Sequence, residues 1–380
     1  MKLFTNCNRL DSLGGMETSV FQTTRELVRR GHRFDLIYEG SGDLLAEFTS
    51  LCSSLHRVSH SDYNFPEGHA RAFVERARLL PAVALAAKCR PDVYLMNKAR
   101  AAAWALQAAK LSPAPVVCVW HSHHTLAPRH TAWLSAKVSR FMAISAFVRD
   151  VWVSAGIDPA KVDLVYPGID PDEYPQGGPR QRSAARALLG IPDDVFVVVF
   201  VGRIDSEKGV EVLLDAWRRL GLNSDQGQLL LVGAPLAHND AHAYLDQLSA
   251  SAPPGTVRFL GARRDIVTPL HAADVAVIPS IWDEPFGRVV IEAMATGRPV
   301  VASRVGAIPE ILTGPLEGFM FERGDPAGLA ARLSELVGWQ DREPGLGDKF
   351  ALRVRESFSL ATMVDGMENS LARALGDGQR

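Results

Sequence analysis

The sequence has no long apolar run. Its longest purely apolar stretch covers residues 195–201, far short of the ~20 residues that a membrane-crossing helix needs. Residues 1–10 lack the apolar segment of a signal peptide, so a cytoplasmic location is the expectation. Cysteine is scarce and scattered, at Cys7, Cys52, Cys89 and Cys118. That spacing matches no zinc or dithiol redox motif, and buried free thiols account for it. A global excess of one charge is missing too. With 41 Lys and Arg against 43 Asp and Glu, nothing marks a nucleic-acid partner. Nor is the composition that of a disordered chain, since 47% of the 380 residues are hydrophobic and 22% charged. That length calls for two or three domains.

The charge that is present divides unevenly. Residues 1–165 hold 20 Lys and Arg against 14 Asp and Glu, and the remainder 21 against 29. Such a split either marks a half that meets an anionic partner or is ordinary surface scatter. The positive half includes Arg71, Arg76, Arg78, Lys88, Arg90, Lys98 and Arg100. A basic face of that kind would suit peripheral contact with an anionic membrane.

Two stretches read as the same kind of unit. Residues 2–5 form a short apolar strand, followed by a loop through Gly14 and Gly15. A helix over 17–30, with apolar Val20, Phe21, Leu27 and Val28, stops at Gly31, a residue suited to a left-handed cap. A strand over 34–38 comes next. The second unit opens with a continuous β-branched and aromatic run from Val195, as a parallel strand covered on both faces requires. A helix over 210–220 follows, with strands over 228–232, 257–260, 275–279 and 299–303. Strands alternating with helices in both halves predict an α/β protein of two doubly wound, Rossmann-like domains. The turn-rich stretch 166–170 is the join. The expected division is 1–168, 169–358 and a C-terminal helical segment, 359–380, which would pack back on the first domain.

Chemistry concentrates in the second half. Glu284 and Glu292 stand eight residues apart across a predicted loop-to-helix transition near Gly287. Glu284 would precede the helix and Glu292 lie one to two turns inside it. Backbone amides around Phe286, Gly287 and Arg288 would then offer an anion site at the helix N-terminus. The alternative is an acid favoured by the helix dipole and a solvated Glu292. Directly after the buried strand come Arg203 and Lys208, a fork and a point charge suited to a diphosphate at the carboxyl end of a strand. Asp205 or Glu207 would otherwise pair them on the surface. Gly14 and Gly15 would let backbone approach a phosphate, or simply make a tight turn.

These pieces together resemble the family-four retaining glycosyltransferases over most of the chain. In order they are GGME (14–17), RGH (30–32), VYPGID (165–170), VGRIDSEKG (201–209), LLVGAP (230–235) and VRFLG (257–261). EPFGRVVIEAMATGRPVVAS (284–303) and VGAIPEIL (305–312) complete the set. The resemblance implies a GT-B fold, with two Rossmann-like domains facing across a deep cleft. It makes Arg203 and Lys208 the cations for a donor diphosphate, Glu284 the carboxylate for the transferred sugar, and Glu292 that for the nucleotide ribose. The backbone of Phe286, Gly287, Arg288 and Val289 would complete those contacts. Gly14 and Gly15 would meet the phosphate, and the base would lie near Gly233 and the Leu260–Arg264 loop.

His121 ends the apolar run 116–120 and is the expected cleft histidine, ahead of His123 and His124, with ordinary packing as the alternative. The same cluster suggests a metal, but no Cys or Asp completes a recognisable ligand set. Asp170-Pro-Asp172 has the letters of a metal-binding Asp-x-Asp motif, yet its place at the join reads as turn chemistry. No metal and no cofactor are therefore expected. The expected reaction is retaining transfer of a hexose or N-acetylhexosamine from a nucleoside-diphosphate sugar, uridine before guanosine. The acceptor would be a small molecule such as a sugar or cyclitol. A membrane-associated enzyme acting on a lipid or polysaccharide is the second reading. A nucleotide-sugar epimerase and a non-catalytic nucleotide-sugar sensor are rivals from other classes.

Overall fold

The apolar run that begins at Val195 becomes the central strand of a parallel sheet. Phe196, Val197, Val198, Val199 and Phe200 are all buried, as a strand covered on both faces requires. The computed structural model describes residues 1–12, 14–235 and 241–377. Within it the chain makes two α/β units: residues 1–168 with the segment from Leu360 onward, and residues 169–359.

In the first unit the strands are β1 (Lys2–Arg9), β2 (Arg33–Gly40), β3 (Ser54–Arg57), β4 (Val93–Met96), β5 (Val116–Trp120), β6 (Arg140–Ala143) and β7 (Val162–Leu164). They pair in the order β3-β2-β1-β4-β5-β6-β7, all parallel. The strand expected over 2–5 runs on to Arg9 because its backbone keeps pairing with β2. Asn6 and Cys7 pair with Ile37 and Tyr38 of β2. Asn97 donates its backbone N–H to Asn6 Oδ1 at 3.1 Å and its amide to Thr5 Oγ1 at 3.0 Å. The helix Gly15–Arg29 follows, buries Val20 and Leu27, and ends before Gly31 at φ +89°.

The C-terminal helix, Leu360–Asp377, belongs to this unit. Arg30 reaches Asp365 at 2.5 Å and Glu368 at 2.7 Å, and His32 Nε2 lies 2.8 Å from Glu368 Oε1. Farther along, Ser370 Oγ donates to Asp163 Oδ2 at 2.6 Å, and Arg373 lies 2.7 Å from Asp163 Oδ1. Among the described residues, no helix is long and apolar enough to cross a membrane.

The second unit has β8 (Phe196–Val201), β9 (Gly227–Val232), β10 (Val257–Gly261), β11 (Val275–Ile278), β12 (Val300–Ser303) and β13 (Met320–Phe321). Their order is β10-β9-β8-β11-β12-β13, again parallel. The segment before β8 forms the helix Pro179–Leu189, locked by a fully buried arginine. Arg186 pairs with Asp274 at 2.9 Å and donates to the carbonyls of Ala272 and Val195. Asp274 also accepts from Val197 N and Gln340. A buried ion pair so fully hydrogen-bonded is tolerable where a lone charge is not.

Candidate functional site

In the second sheet β8 has β9 on one side and β11 on the other. The connections run to opposite sides of the sheet from there, and in such sheets ligands bind beyond the carboxyl ends of the strands that flank the reversal. Both loops with candidate residues leave from those ends. Gly202 follows β8, packed so closely on Gly233 that a Cβ at Gly233 would lie 1.8 Å from the Gly202 carbonyl oxygen. Asp205 then caps a single turn, Ser206–Lys208, by accepting from the Lys208 backbone N–H. Gly209, at φ +66°, presses against the Pro279 carbonyl, and Ile281 N donates to Glu207 O at 2.9 Å. The two loops are thereby held edge to edge.

That contact delivers the central feature. Lys208 Nζ lies 2.6 Å from Glu284 Oε1, and Ser280 Oγ donates to the same oxygen at 2.5 Å. Lys208 also sits over the Trp282 ring, 5.4 Å from its centroid. Among the described residues, no bond reaches Glu284 Oε2.

Three residues beyond Glu284 the chain turns into the helix Arg288–Ala295. Gly287 makes the turn at φ +96°, where a Cβ would lie 2.6 Å from Ile308 Cδ1. First-turn amides have no acceptor within their own helix, which makes such an end attractive to anions. Glu292 lies one turn in and is nearly buried. Arg288 Nε donates to its Oε1 at 2.7 Å, and the Tyr174 hydroxyl donates to the same oxygen at 3.1 Å.

The remaining candidates of this unit divide by what their side chains do. Arg203 pairs locally, with Asp205 at 3.0 Å and Glu207 at 3.3 Å, the surface pairing that the sequence left open. Such exposed pairs are worth about 0–1 kcal/mol and exchange readily. Phe286 is buried edge-on against Phe358, so only its backbone is available to a ligand. Val289 is half-buried, and so is Leu260, on the edge strand β10. Ser280 and Tyr174 are the residues that sequence reasoning missed. Ser280 had a weak signal, a hydroxyl just past a strand end and four residues before Glu284. Tyr174 had none.

The other candidates stand at the carboxyl ends of the first sheet. A Cβ on Gly14 would collide with the Glu17 carboxylate, whereas one on Gly15, the first helical residue, would meet nothing. Glu17 is held above the usual carboxylate range chiefly by burial. His121 directly follows β5, and its Nε2 is buried without a partner among the described residues. Burial, then the positive charge of Lys98, push its imidazole down to about 4, so it is neutral at pH 7. The ring lines a small cavity with Thr5, Asn97, Met142 and Met363. Its neighbours are fixed by Trp152, which stacks on Trp120 at 4.6 Å and donates to Ser122 O at 3.0 Å. His123 and His124 stack on each other instead, with Ser122 Oγ 2.8 Å from His124 Nδ1. Among the described residues, no group of three His, Cys, Asp or Glu could hold a metal ion.

Comparison with known proteins extends the picture. Residues 195–338 match the family model described as glycosyl transferases group 1, and residues 13–173 match that of glycosyltransferase family 4. A D-inositol 3-phosphate glycosyltransferase of Mycolicibacterium smegmatis is 36% identical over 228 residues, 58% of this chain and 49% of that protein. Another, from Corynebacterium kroppenstedtii, is 34% identical over 197 residues, 50% of this chain and 44% of the relative. The chain spans about half the length of the curated relatives it matches. Anabaena HepE, solved with UDP and glucose, superposes with a TM-score of 0.82 at 21% identity, covering 98% of this chain and 99% of its own. A glycosyltransferase from Rickettsia africae gives 0.83 at 21%, covering 98% of each chain. These likenesses establish the fold, which is GT-B.

Proposed function

The chain belongs to the group 1, family-four glycosyltransferases, and from that premise we propose that it moves a hexosyl or N-acetylhexosaminyl group from a nucleoside-diphosphate sugar to a hydroxyl acceptor. The observation that carries this reading is the Lys208–Glu284 pair above the switch point of the second sheet. A diphosphate there would meet Lys208, Arg203 and the helix that starts at Arg288. Glu284 would accept from hydroxyls of the transferred sugar through its second oxygen, and Glu292 from the ribose. The base would lie by Gly233 and Leu260.

The bond from the sugar C1 to the β-phosphate oxygen breaks while the acceptor oxygen bonds to C1. The acceptor proton passes to the departing phosphate. Retention follows when attack comes on the leaving group's own face, a course that rests on the family resemblance. Preset cations and dipoles stabilise the leaving charge without reorganisation, so no divalent metal is required. In the first unit, neutral His121 can hydrogen-bond a hydroxyl without adding charge, and Gly15, where a Cβ would meet nothing, leaves backbone open to a phosphate.

Uridine is the base to try first, because HepE was solved with UDP and with UDP-glucose. The names of the inositol-phosphate relatives favour a cyclitol or similar small polyol as acceptor. A second reading, action at a membrane, has one observation in its favour. The helix His69–Cys89 exposes Phe73 and Leu80 beside Arg71, Arg76 and Arg78.

Thermal unfolding with UDP, GDP, ADP and their common sugars, with and without EDTA, tests the reading. A ligand at 100 times its dissociation constant adds about 2.7 kcal/mol. One nucleotide family should raise the melting temperature regardless of EDTA, and Glu284→Gln should abolish transfer while binding that nucleotide within a few-fold. No shift with any nucleotide would sink the donor site. Near-normal turnover in Glu284→Gln would sink the sugar contact.

A further inference from the structure

Glu292 is a long side chain on a helix, and a carboxylate so placed turns freely about its terminal bonds unless something holds it. Two groups hold it here, and both bind one oxygen. Arg288 Nε and the Tyr174 hydroxyl each donate to Oε1, at 2.7 and 3.1 Å. Among the described residues nothing bonds Oε2, which is left to accept from a ligand. The two donors differ in kind. Arg288 stands four residues earlier on the same helix and moves with it. Tyr174 comes from the connector that leads into the second unit, and so fixes the carboxylate against a separate segment.

The connector is itself pinned on both sides of Tyr174. Before it, Ile169 N donates to Phe358 O at 3.0 Å. After it, His271 Nε2 lies 2.8 Å from Pro175 O, and Gly177 N donates to Thr296 O at 3.1 Å, at the end of the Glu292 helix. The Gln176 side chain bonds Asp348 at 2.6 Å and Arg355 at 2.9 Å. Tyr174 therefore has little freedom to follow Glu292 if that carboxylate turns. Burial, then the Glu292 charge, push the phenol well above its ordinary range, so it remains a hydrogen-bond donor.

We propose that Tyr174 is a positioning residue that holds the Glu292 carboxylate by Oε1, presents Oε2 to the ribose hydroxyls, and so sets a preference for ribonucleotide over deoxyribonucleotide donors. This rests on the reading of Glu292 as the ribose contact. A carboxylate fixed at one oxygen accepts from a sugar hydroxyl at the other without first being ordered. One free to rotate loses part of that advantage, and a ligand lacking the 2′-hydroxyl had less of it to lose.

The test compares dissociation constants for UDP and 2′-deoxy-UDP, with GDP and 2′-deoxy-GDP in parallel, on the full chain. The proteins are the parent, Tyr174→Phe and Glu292→Gln, with donor kinetics on the first two. The parent should favour the ribonucleotide by at least about tenfold, the scale of a hydrogen bond to a charged group. Tyr174→Phe should cut that preference several-fold, raise KM for the donor and leave kcat at saturation unchanged, with the deoxy ligand bound nearly as before. A purely structural tyrosine would weaken both ligands equally and keep their ratio, and that result overturns the proposal. If Glu292→Gln keeps the parental preference, Glu292 is not the ribose contact and the underlying reading fails. If Glu292→Gln loses it while Tyr174→Phe does not, only the role of Tyr174 fails.

Discussion

Glu284 commits one oxygen to the fold. Ser280 and Lys208 both bind Oε1, and the Glu284 side chain is only 8% exposed. Lys208 thus neutralises a carboxylate withdrawn from water, in addition to the phosphate contact proposed for it. Lys208→Met keeps an unbranched side chain, one atom shorter, and removes the ammonium group with its charge and its hydrogen bond to Glu284. The nucleoside diphosphate that binds the parent should then bind at least tenfold more weakly by calorimetry. In urea the unfolding free energy should fall by about 1–3 kcal/mol, the cost of a buried acceptor losing a charged partner. Normal diphosphate binding would remove Lys208 from the site. The sequence announced Lys208, Glu284 and Glu292 because each stands at a fixed offset from a glycine turn or a strand end. It was silent on Tyr174, whose bond to Glu292 joins residues 118 apart in sequence. No periodicity encodes such a meeting.

Elements were legible to the extent that one local force decides them. The helix Val210–Leu220 has the bounds read from its apolar spacing, and the helix expected near Gly287 starts at Arg288. There both backbone geometry and the neighbouring Ile308 demand a glycine. β1 outran its expected end because its backbone keeps pairing with β2 as far as Arg9, while Asn97, far along the chain, donates to Asn6 Oδ1. The helix His69–Cys89 poses a different question, since it exposes Phe73 at 74% and Leu80 at 61% among unburied arginines. Isolated apolar residues on a surface need no explanation, but apolar residues set among like charges suit an anionic bilayer. Vesicles with a quarter anionic lipid should co-sediment the chain at low salt, and neutral vesicles should not. Replacing Arg71, Arg76 and Arg78 together by Gln should release it, at about 1 kcal/mol for each charge. Equal binding to neutral vesicles, or none to either, would retire the membrane reading.

At the scale of the whole molecule, the chain makes its second unit and then returns its last helix to the first. The sequence marked this segment as helical, but its partners are charges scattered over the first 163 residues. Arg30 and His32 hold Glu368, and Asp163 holds Ser370 and Arg373. Those bonds make the helix sensitive to acid. His32, then Arg30, keep Glu368 below the usual carboxylate range. Asp163 is also lowered, by hydrogen bonds and charge from Arg140, Ser370 and Arg373 that outweigh its burial. For a carboxylate depressed in the folded state, the stabilisation is complete above the unfolded value and disappears as pH falls through the folded one. A glutamate ordinarily titrates at 4.5 and an aspartate at 3.8, so the loss begins with Glu368 near its unfolded value and continues below it. Glu368→Gln removes the charge at every pH. Urea midpoints should therefore separate the parent from this variant at pH 6 to 7 and converge as pH falls below about 4. A gap that stayed constant down to pH 3 would mean that shape, not charge, holds the last helix in place.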